Sequence, residues 1–343
     1  LVGSEMCIRD RCRIVLKNPV CFRNRVIKFT EQGSPYMQGY ILKRVLIAIF
    51  TVFAVLTVVF FVFRLGPADP VSVMLPPNAT PLDAENLTKK FGLDKPLMVQ
   101  YGNYLKNVFK GDFGASFRFS EPALKVLFDR FPATLQLGLA AFLISVVVGL
   151  GIGIYSAVKP DSLVDRFGRL FALAGMSLPS FWVGVMLILF FGVFLRWLPI
   201  AGRGTILHYI MPAFCMSLYP IALITRLSRS SMLDALKSDY VVMARIKGVP
   251  EFYVILLHAF KNASIPVITV IFGLFGALMV GSAVVVEYIF SWPGIGRLVM
   301  ESYFARDYPV VQVFVIFVTL VVVTLNLIVD IVYAYIDPRI RYQ

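Results

Sequence analysis

Runs of about twenty uncharged, apolar residues constrain this chain more than anything else in it. A helix must hold about 20 such residues to cross a bilayer, and five windows meet that length: Val45–Phe63, Pro132–Val158, Leu170–Leu195, Ala263–Val286 and Tyr308–Val329. A sixth, Gly204–Thr225, carries Pro212, Pro220 and His208 and is a weaker window. It counts as a span because dropping it would put the two most basic loops on opposite faces. Prolines are tolerated in such helices when neighbours satisfy the freed carbonyls. The 343 residues are 58% hydrophobic and 15% charged, whereas a soluble chain carries about 25% charged residues. The expected fold class is therefore an all-α polytopic membrane protein with six transmembrane helices. Gly149-Leu-Gly151-Ile-Gly153 and Gly273-x-x-Gly276 predict close helix contacts and a packed bundle.

The net charge of +13 would suggest nucleic acid in a soluble protein. Here the basic residues collect in short loops, as topology requires. Lys43 and Arg44 precede the first span, and Lys159, Arg166 and Arg169 follow the second. Arg226, Arg229, Lys237, Arg245, Lys247 and Lys261 lie between the fourth and fifth, and Arg339 and Arg341 follow the sixth. Six spans put all of these on one side, with both termini in the cytoplasm. The opposite loops carry Arg196, Arg203, Arg297 and Arg306.

The chain divides into five regions. Residues 1–36 hold three of the four cysteines, seven basic and three acidic residues, and no apolar period. Leu1–Arg11 resembles the translation of a sequencing adapter, so residues 1–36 are expected to be a non-native leader, with Met37 as the start. They do not read as a secretory signal. Residues 37–63 form the cytoplasmic start and first span. Residues 64–131 form an external segment with nine basic and seven acidic residues. Within it Ala84–Phe91 and Pro96–Phe109 read as short amphipathic helices, with a turn at Gly111–Gly114, and together they are expected to cap the outer face of the bundle. Residues 132–336 form a five-helix core with a cytoplasmic loop at 226–262, and residues 337–343 a cytoplasmic tail.

Two stretches carry the functional signal. One is Asp239-Tyr240-Val-Val-Met-Ala244-Arg245-Ile-Lys247-Gly248-Val249, continued by Phe252, His258, Asn262 and Pro266. A structured loop of this length on the basic face is expected to meet a soluble partner. Gly248 takes positive φ without steric cost, and Ala244 leaves room for close approach. An ordinary basic loop with a helix-ending Gly is the alternative reading. Arg226, Arg229 and Asp234 read equally as partner contacts or as topology and headgroup contacts. The other stretch is Glu287-Tyr-Ile-Phe290-Ser-Trp292-Pro293-Gly294-Ile-Gly296. Irregular backbone at membrane depth survives where it lines a cavity or is covered by protein. It reads as a re-entrant element that contacts a docked protein, or as an interfacial turn with Trp292 in the aromatic belt. Glu287 reads as a group lining the path or as one that pins this loop. Asp330 reads as a group that snorkels or pairs near the cytoplasmic face.

His208 and His258, the only histidines, with Cys215 outside residues 1–36, make neither a metal site nor a hydrolytic triad, and His258 is expected to pack at the start of the fifth helix. No Gly-x-x-x-x-Gly-Lys-Ser/Thr run occurs, so an ATP motor would be another chain. No metal and no cofactor is expected on this one, and it is not expected to be an enzyme.

The residues from Met37 to Gln343 resemble permease subunits of the dipeptide/oligopeptide ABC importer family. The resemblance rests on Met37-Gln-Gly-Tyr-Ile-Leu-Lys-Arg, Phe91-Gly-Leu-Asp94-Lys-Pro96-Leu, Gly111-Asp-Phe-Gly114 and Ser177-Leu-Pro179-Ser-Phe-Trp182. It rests also on Arg226-x-x-Arg229-x-x-Met232, Ala244-Arg-Ile-Lys-Gly248 and Glu287-Tyr-Ile-Phe290-x-x-Pro293-Gly294-x-Gly296. The wider class of such permeases carries a Glu-Ala-Ala-x-x-x-Gly loop that docks on the ATPase. Ala244 and Gly248 match its second alanine and its glycine, while Val242 and Met243 replace Glu and Ala, as in the peptide branch.

The resemblance implies a type I importer-like bundle in a prokaryotic inner membrane. It also implies a second homologous permease, two ABC ATPase subunits and an extracytoplasmic substrate-binding protein as partners, with peptide as the default substrate. The same machinery could import nickel, glutathione or oligosaccharide. An ion-coupled secondary transporter is the alternative from another class, with Glu287 and Asp330 as its candidate charges. An intramembrane enzyme lacks its dyad, paired Asp or metal motif.

Overall fold

The computed structural model describes residues 34–65, 80, 82, 85, 88 and 89, and 94–336 except 279, 280 and 282. The readings of residues 1–33 and 337–343 lie outside them, as does most of the Ala84–Phe91 helix. Among the described residues there is no strand, and an isolated bridge pairs Ala115 with Pro122.

The helices are α1 (Ser34–Leu65), α2 (Leu97–Phe109), α3 (Ala123–Val158), α4 (Leu163–Ser177), α5 (Ser180–Phe194) and α6 (Leu207–Leu236). Beyond them come α7 (Asp239–Ile246), α8 (Glu251–Ala277), α9 (Ala283–Ile289), α10 (Ile295–Phe304) and α11 (Tyr308–Ile336). Five of them, α1, α3, α6, α8 and α11, are long and apolar enough to cross a membrane, and the bent pair α4–α5 makes a sixth if it counts as one span.

Residues 51–329 form one compact unit. Its centre is the α3–α6 seam, and glycine makes the seam close. A Cβ on Gly149 would lie 2.8 Å from Cβ of Ile224, and one on Gly153 would lie 2.7 Å from Cβ of Ser228. Gly151, between them on α3, faces open space. The expected Gly-rich contact therefore uses the i,i+4 pair. The Thr225 hydroxyl donates to the Gly149 carbonyl across the seam at 3.3 Å. Of the second Gly pair, a Cβ on Gly276 would lie 3.3 Å from Leu325 and one on Gly273 would face open space. Residues 34–50 and 330–336 belong to a second unit, in which Arg44 pairs with Asp330 at 3.0 Å. Pairing is thus the reading that describes Asp330.

Three expected spans need correction. The Leu170–Leu195 window is not one straight span, because α4 and α5 meet at 108°. Leu178 is extended at ψ 128°, as the residue before a proline prefers, and Pro179 starts the new direction. The Gly204–Thr225 helix continues to Leu236, so Arg226, Arg229 and Asp234 sit on its last turns and not on a loop. The Ala263–Val286 span begins earlier, at Glu251, and beyond Ala277 the described residues Leu278 and Gly281 are π-helical before α9. Helix α8 has a wider π stretch at Val254–Phe260 and carries Pro266.

The Pro96–Phe109 expectation matches α2, and Gly111 and Gly114 take positive φ of 77° and 85° in the turn after it. Most of residues 66–93 of the expected cap lie outside the described residues. Tyr101 of α2 hydrogen-bonds Thr57 of α1 at 2.7 Å, and its ring packs on Phe60 and Phe61. Helix α2 thus touches α1 at Thr57, Phe60 and Phe61. The chain then returns to the bundle through Asp307. This carboxylate is fully buried and accepts from the Ser116 hydroxyl at 2.5 Å and from the Phe117 amide at 3.1 Å.

Candidate functional site

Two clusters occupy opposite ends of the α3–α6 seam. At the end near Ala157, α7 docks through one stripe. Val241 and Ala244 lie three residues apart, hence on one face, and both are buried with Ala157, Met232, Ala235, Val254, Ala259 and Ala263. The motif places Ala244 at a docking surface. It faces its own bundle instead, and its small size serves that internal contact.

The glycine expectation fares differently. Gly248 takes φ +75° with open space where a Cβ would be. The Gly248 amide donates to the Arg245 carbonyl at 3.0 Å, and the Val249 amide to the Ala244 carbonyl at 3.2 Å. That pair of bonds is the Schellman ending of a helix. Glu251, which sequence reasoning does not single out, closes the turn from outside. It accepts from Nη2 of Arg245 at 2.7 Å and from Nε at 3.2 Å.

Much of what remains outward is apolar. Tyr240, Val242, Met243 and Ile246 of α7 are exposed, Ile246 by 74%, and so are Phe252, Tyr253 and Leu257 of α8. Asp239, Lys247 and Asn262 are exposed beside them, as is Pro266 farther along α8, while Val249 is half-buried. His258 does not pack at a helix start as expected. It is exposed, and its carbonyl accepts a long 3.4 Å bond from Asn262.

Beside this patch, Arg229 of α6 meets Asp165 of α4. Nε donates to Oδ1 at 2.6 Å and Nη2 to Oδ2 at 3.0 Å. Arg169 adds a second cation at 3.4 Å. Asp165 is wholly buried. Of the two readings of Arg229, neither describes this internal pair. Arg226 and Asp234 are exposed.

At the other end, the Glu287–Gly296 stretch is a sealed staple. Glu287 of α9 is fully buried. Its Oε2 accepts from the amides of Gly296 at 2.7 Å and Arg297 at 3.2 Å. It thus caps the start of α10, where backbone donors are otherwise unpaired. A Cβ on Gly294 would come within 2.3 Å of the carboxylate, and one on Gly296 within 2.5 Å of the Val284 backbone. Pinning, not lining a path, describes Glu287.

Trp292 is also fully buried. Its indole donates to the Ala133 carbonyl at 2.9 Å, and its ring meets Tyr209 edge-on at 4.6 Å. It does not sit in an aromatic belt. Phe290, Gly294 and Gly296 are buried too, and Pro293 is half-buried. The buried members build the end of the bundle, and Ser291 and Pro293 keep part of their surface. The exposed groups there are Tyr288, Tyr303, Phe304 and Arg306. Among the described residues no three His, Cys, Asp or Glu gather as a metal site.

The long apolar helices and the seam between them define a multi-pass membrane protein. The chain belongs to the family of inner membrane components of binding-protein-dependent transport systems, which matches residues 149–342, with the N-terminal part of such components matching residues 37–138. It is thus a transport component. It is similar to a glutathione transport system permease protein of Salmonella typhimurium, 40% identical over 307 residues that cover 90% of this chain and 100% of the relative. It is similar as well to an oligopeptide transport system permease protein of Bacillus subtilis, 38% identical over 317 residues that cover 89% of this chain and 100% of the relative.

Proposed function

We propose that this chain is one permease subunit of an ATP-driven ABC importer for peptides. It forms half of the translocation path with a second, homologous permease. Two ATPase subunits bind the Gly248 end of the bundle in the cytoplasm, where both termini also lie. A substrate-binding protein delivers cargo at the Trp292 end. The names of the relatives support peptide as cargo, and glutathione is itself a tripeptide.

The observation that carries the coupling reading is the exposed apolar patch of Met243, Ile246 and Phe252 on a rigidly closed turn. The patch adjoins the basic residues that the positive-inside rule assigns to the cytoplasm, where no lipid tail covers it. Apolar surface of that kind marks an interaction site. ATP-driven closure of the ATPases would then bias the bundle between two access states.

The test is purification of the tagged Met37 form, with mass spectrometry of the proteins bound to it. The expected result is a second permease and Walker-containing ATPases. Ile246→Asp and Met243→Asp should shed the ATPases and keep the second permease. A chain that purifies alone and stable would overturn this reading and favour ion-coupled transport.

A further inference from the structure

Helix α2 has no buried residue. At 100° per residue its faces nevertheless differ, although exposed Val99 falls on the polar side. Tyr101, Tyr104, Leu105 and Val108 are half-buried, and this face meets α1. The flank beside it carries Met98 and Phe109, eleven residues or three turns apart and so in line, exposed by 72% and 80%. The far face carries Asn103, Lys106, Asn107 and Lys110, all exposed.

The depth of α2 is set by its contacts with α1. The apolar span in α1 ends at Arg64. Thr57, which hydrogen-bonds the Tyr101 hydroxyl, is seven residues before that end, about 10 Å along a helix rising 1.5 Å per residue. Phe60, whose ring lies 5.2 Å from Tyr101 and 5.3 Å from Tyr104, is about 6 Å before it. A helix held against this stretch of a spanning segment cannot stand in bulk water. An amphipathic helix lying in the membrane plane sinks its apolar face about 5–10 Å into the boundary between headgroups and acyl chains, which is the same depth.

We propose that α2 is an interfacial membrane helix. Its exposed flank of Met98 and Phe109 lies among the acyl chains of the leaflet on the Arg64 side. Lys106 and Lys110 reach the lipid phosphates from the opposite face. The occupant of the flank is lipid, because the α1 surface beside it is itself part of a 24-residue apolar span and the cations stand where anionic headgroups would be. The inference rests on the membrane location of the chain and not on its cargo or motor.

The experiment uses the assembled transporter in liposomes of phosphatidylcholine and phosphatidylglycerol. Single cysteines replace Met98, Asn103, Phe109 or Lys110 in a chain whose own cysteines are serine, and each carries a nitroxide. Collision with oxygen, which concentrates in lipid, is compared with collision with a water-soluble nickel chelate. Labels at 98 and 109 should show a several-fold higher oxygen-to-nickel ratio than labels at 103 and 110. Water-like ratios at all four positions would overturn the proposal in favour of an aqueous cap. Low collision with both reagents at 98 and 109 would overturn it in favour of a protein covering the flank. Because replacing buried Cys215 could impair folding, Phe109→Trp in the native-cysteine chain provides a second reading. Its added emission over the parent should be quenched by lipids brominated on their acyl chains. Quenching by aqueous iodide in their place would count against the proposal.

Discussion

Arg229 holds Asp165 through two parallel hydrogen bonds of 2.6 and 3.0 Å, tying α6 to α4 at the end of the bundle where the Gly248 turn lies. The Asp165 side chain is completely covered, while the Arg229 side chain keeps 24% of its exposure. Removing Arg229 leaves the buried carboxylate with only the longer 3.4 Å pairing to Arg169. Removing both charges leaves no such carboxylate.

Arg229→Gln should therefore destabilise the protein more than the double change Arg229→Gln with Asp165→Asn. Breaking a buried pair costs about 3–5 kcal/mol. The partial exposure of Arg229 puts the single change at the low end of that range. Thermal unfolding in detergent, tracked as loss of the monodisperse species, checks the order of the two variants.

Gly294→Ala places a methyl against the Glu287 carboxylate, whose atoms are its three nearest neighbours. The expected loss is about 2–3 kcal/mol from overpacking. Glu287→Ala leaves two amides of α10 without an acceptor, at about 1–3 kcal/mol. In the double variant the clash is gone, so its loss should fall below the sum. Gly296→Ala meets the Val284 backbone, so Glu287→Ala should not rescue it. Equal rescue at both glycines would refute this geometry.

Along α3, Gly149→Ala and Gly153→Ala push into α6, whereas Gly151→Ala points into open space. The first two should each cost about 1–3 kcal/mol. The third should change stability by about 0.5 kcal/mol or less. An equal cost at all three would mean that the seam does not run along the Gly149–Gly153 face.

Gly248→Ala keeps the open space around the turn and strains only the backbone, at about 1–2 kcal/mol for a left-handed non-glycine residue. Gly248→Pro also deletes the amide that bonds Arg245, and fixes φ near −65° where the turn needs +75°. Ala244→Trp would force an indole into a buried site, so it tests the fold and not docking. The graded loss from Ala to Pro at position 248, read as protein yield and ATPase retention, checks the turn.

The apolar windows are legible because a bilayer imposes its own length on any helix that crosses it. The turn at Gly248 is legible for a similar reason: one residue type meets a positive φ without cost. The pair Asp165–Arg229 is not, since the partners lie 64 positions apart and each alone looks like a loop charge. Ala244 reads outward from its motif because the motif gives spacing and not facing. Its phase with Val241, set against the alanines of α3, α6 and α8, turns it inward. For Trp292, an aromatic beside Pro and Gly suggests an interface, but the acceptor that buries it, the Ala133 carbonyl, belongs to a helix 159 residues away.

The clasp of Arg245 on Glu251 has a mechanical consequence. The turn between α7 and α8 is closed by two backbone bonds inside and two side-chain bonds outside, so it acts as a welded elbow. Under the proposed coupling, a load on Ile246 would pass through the closed bend into the 27 residues of α8, about 40 Å long at 1.5 Å per residue, and tip that helix as a lever.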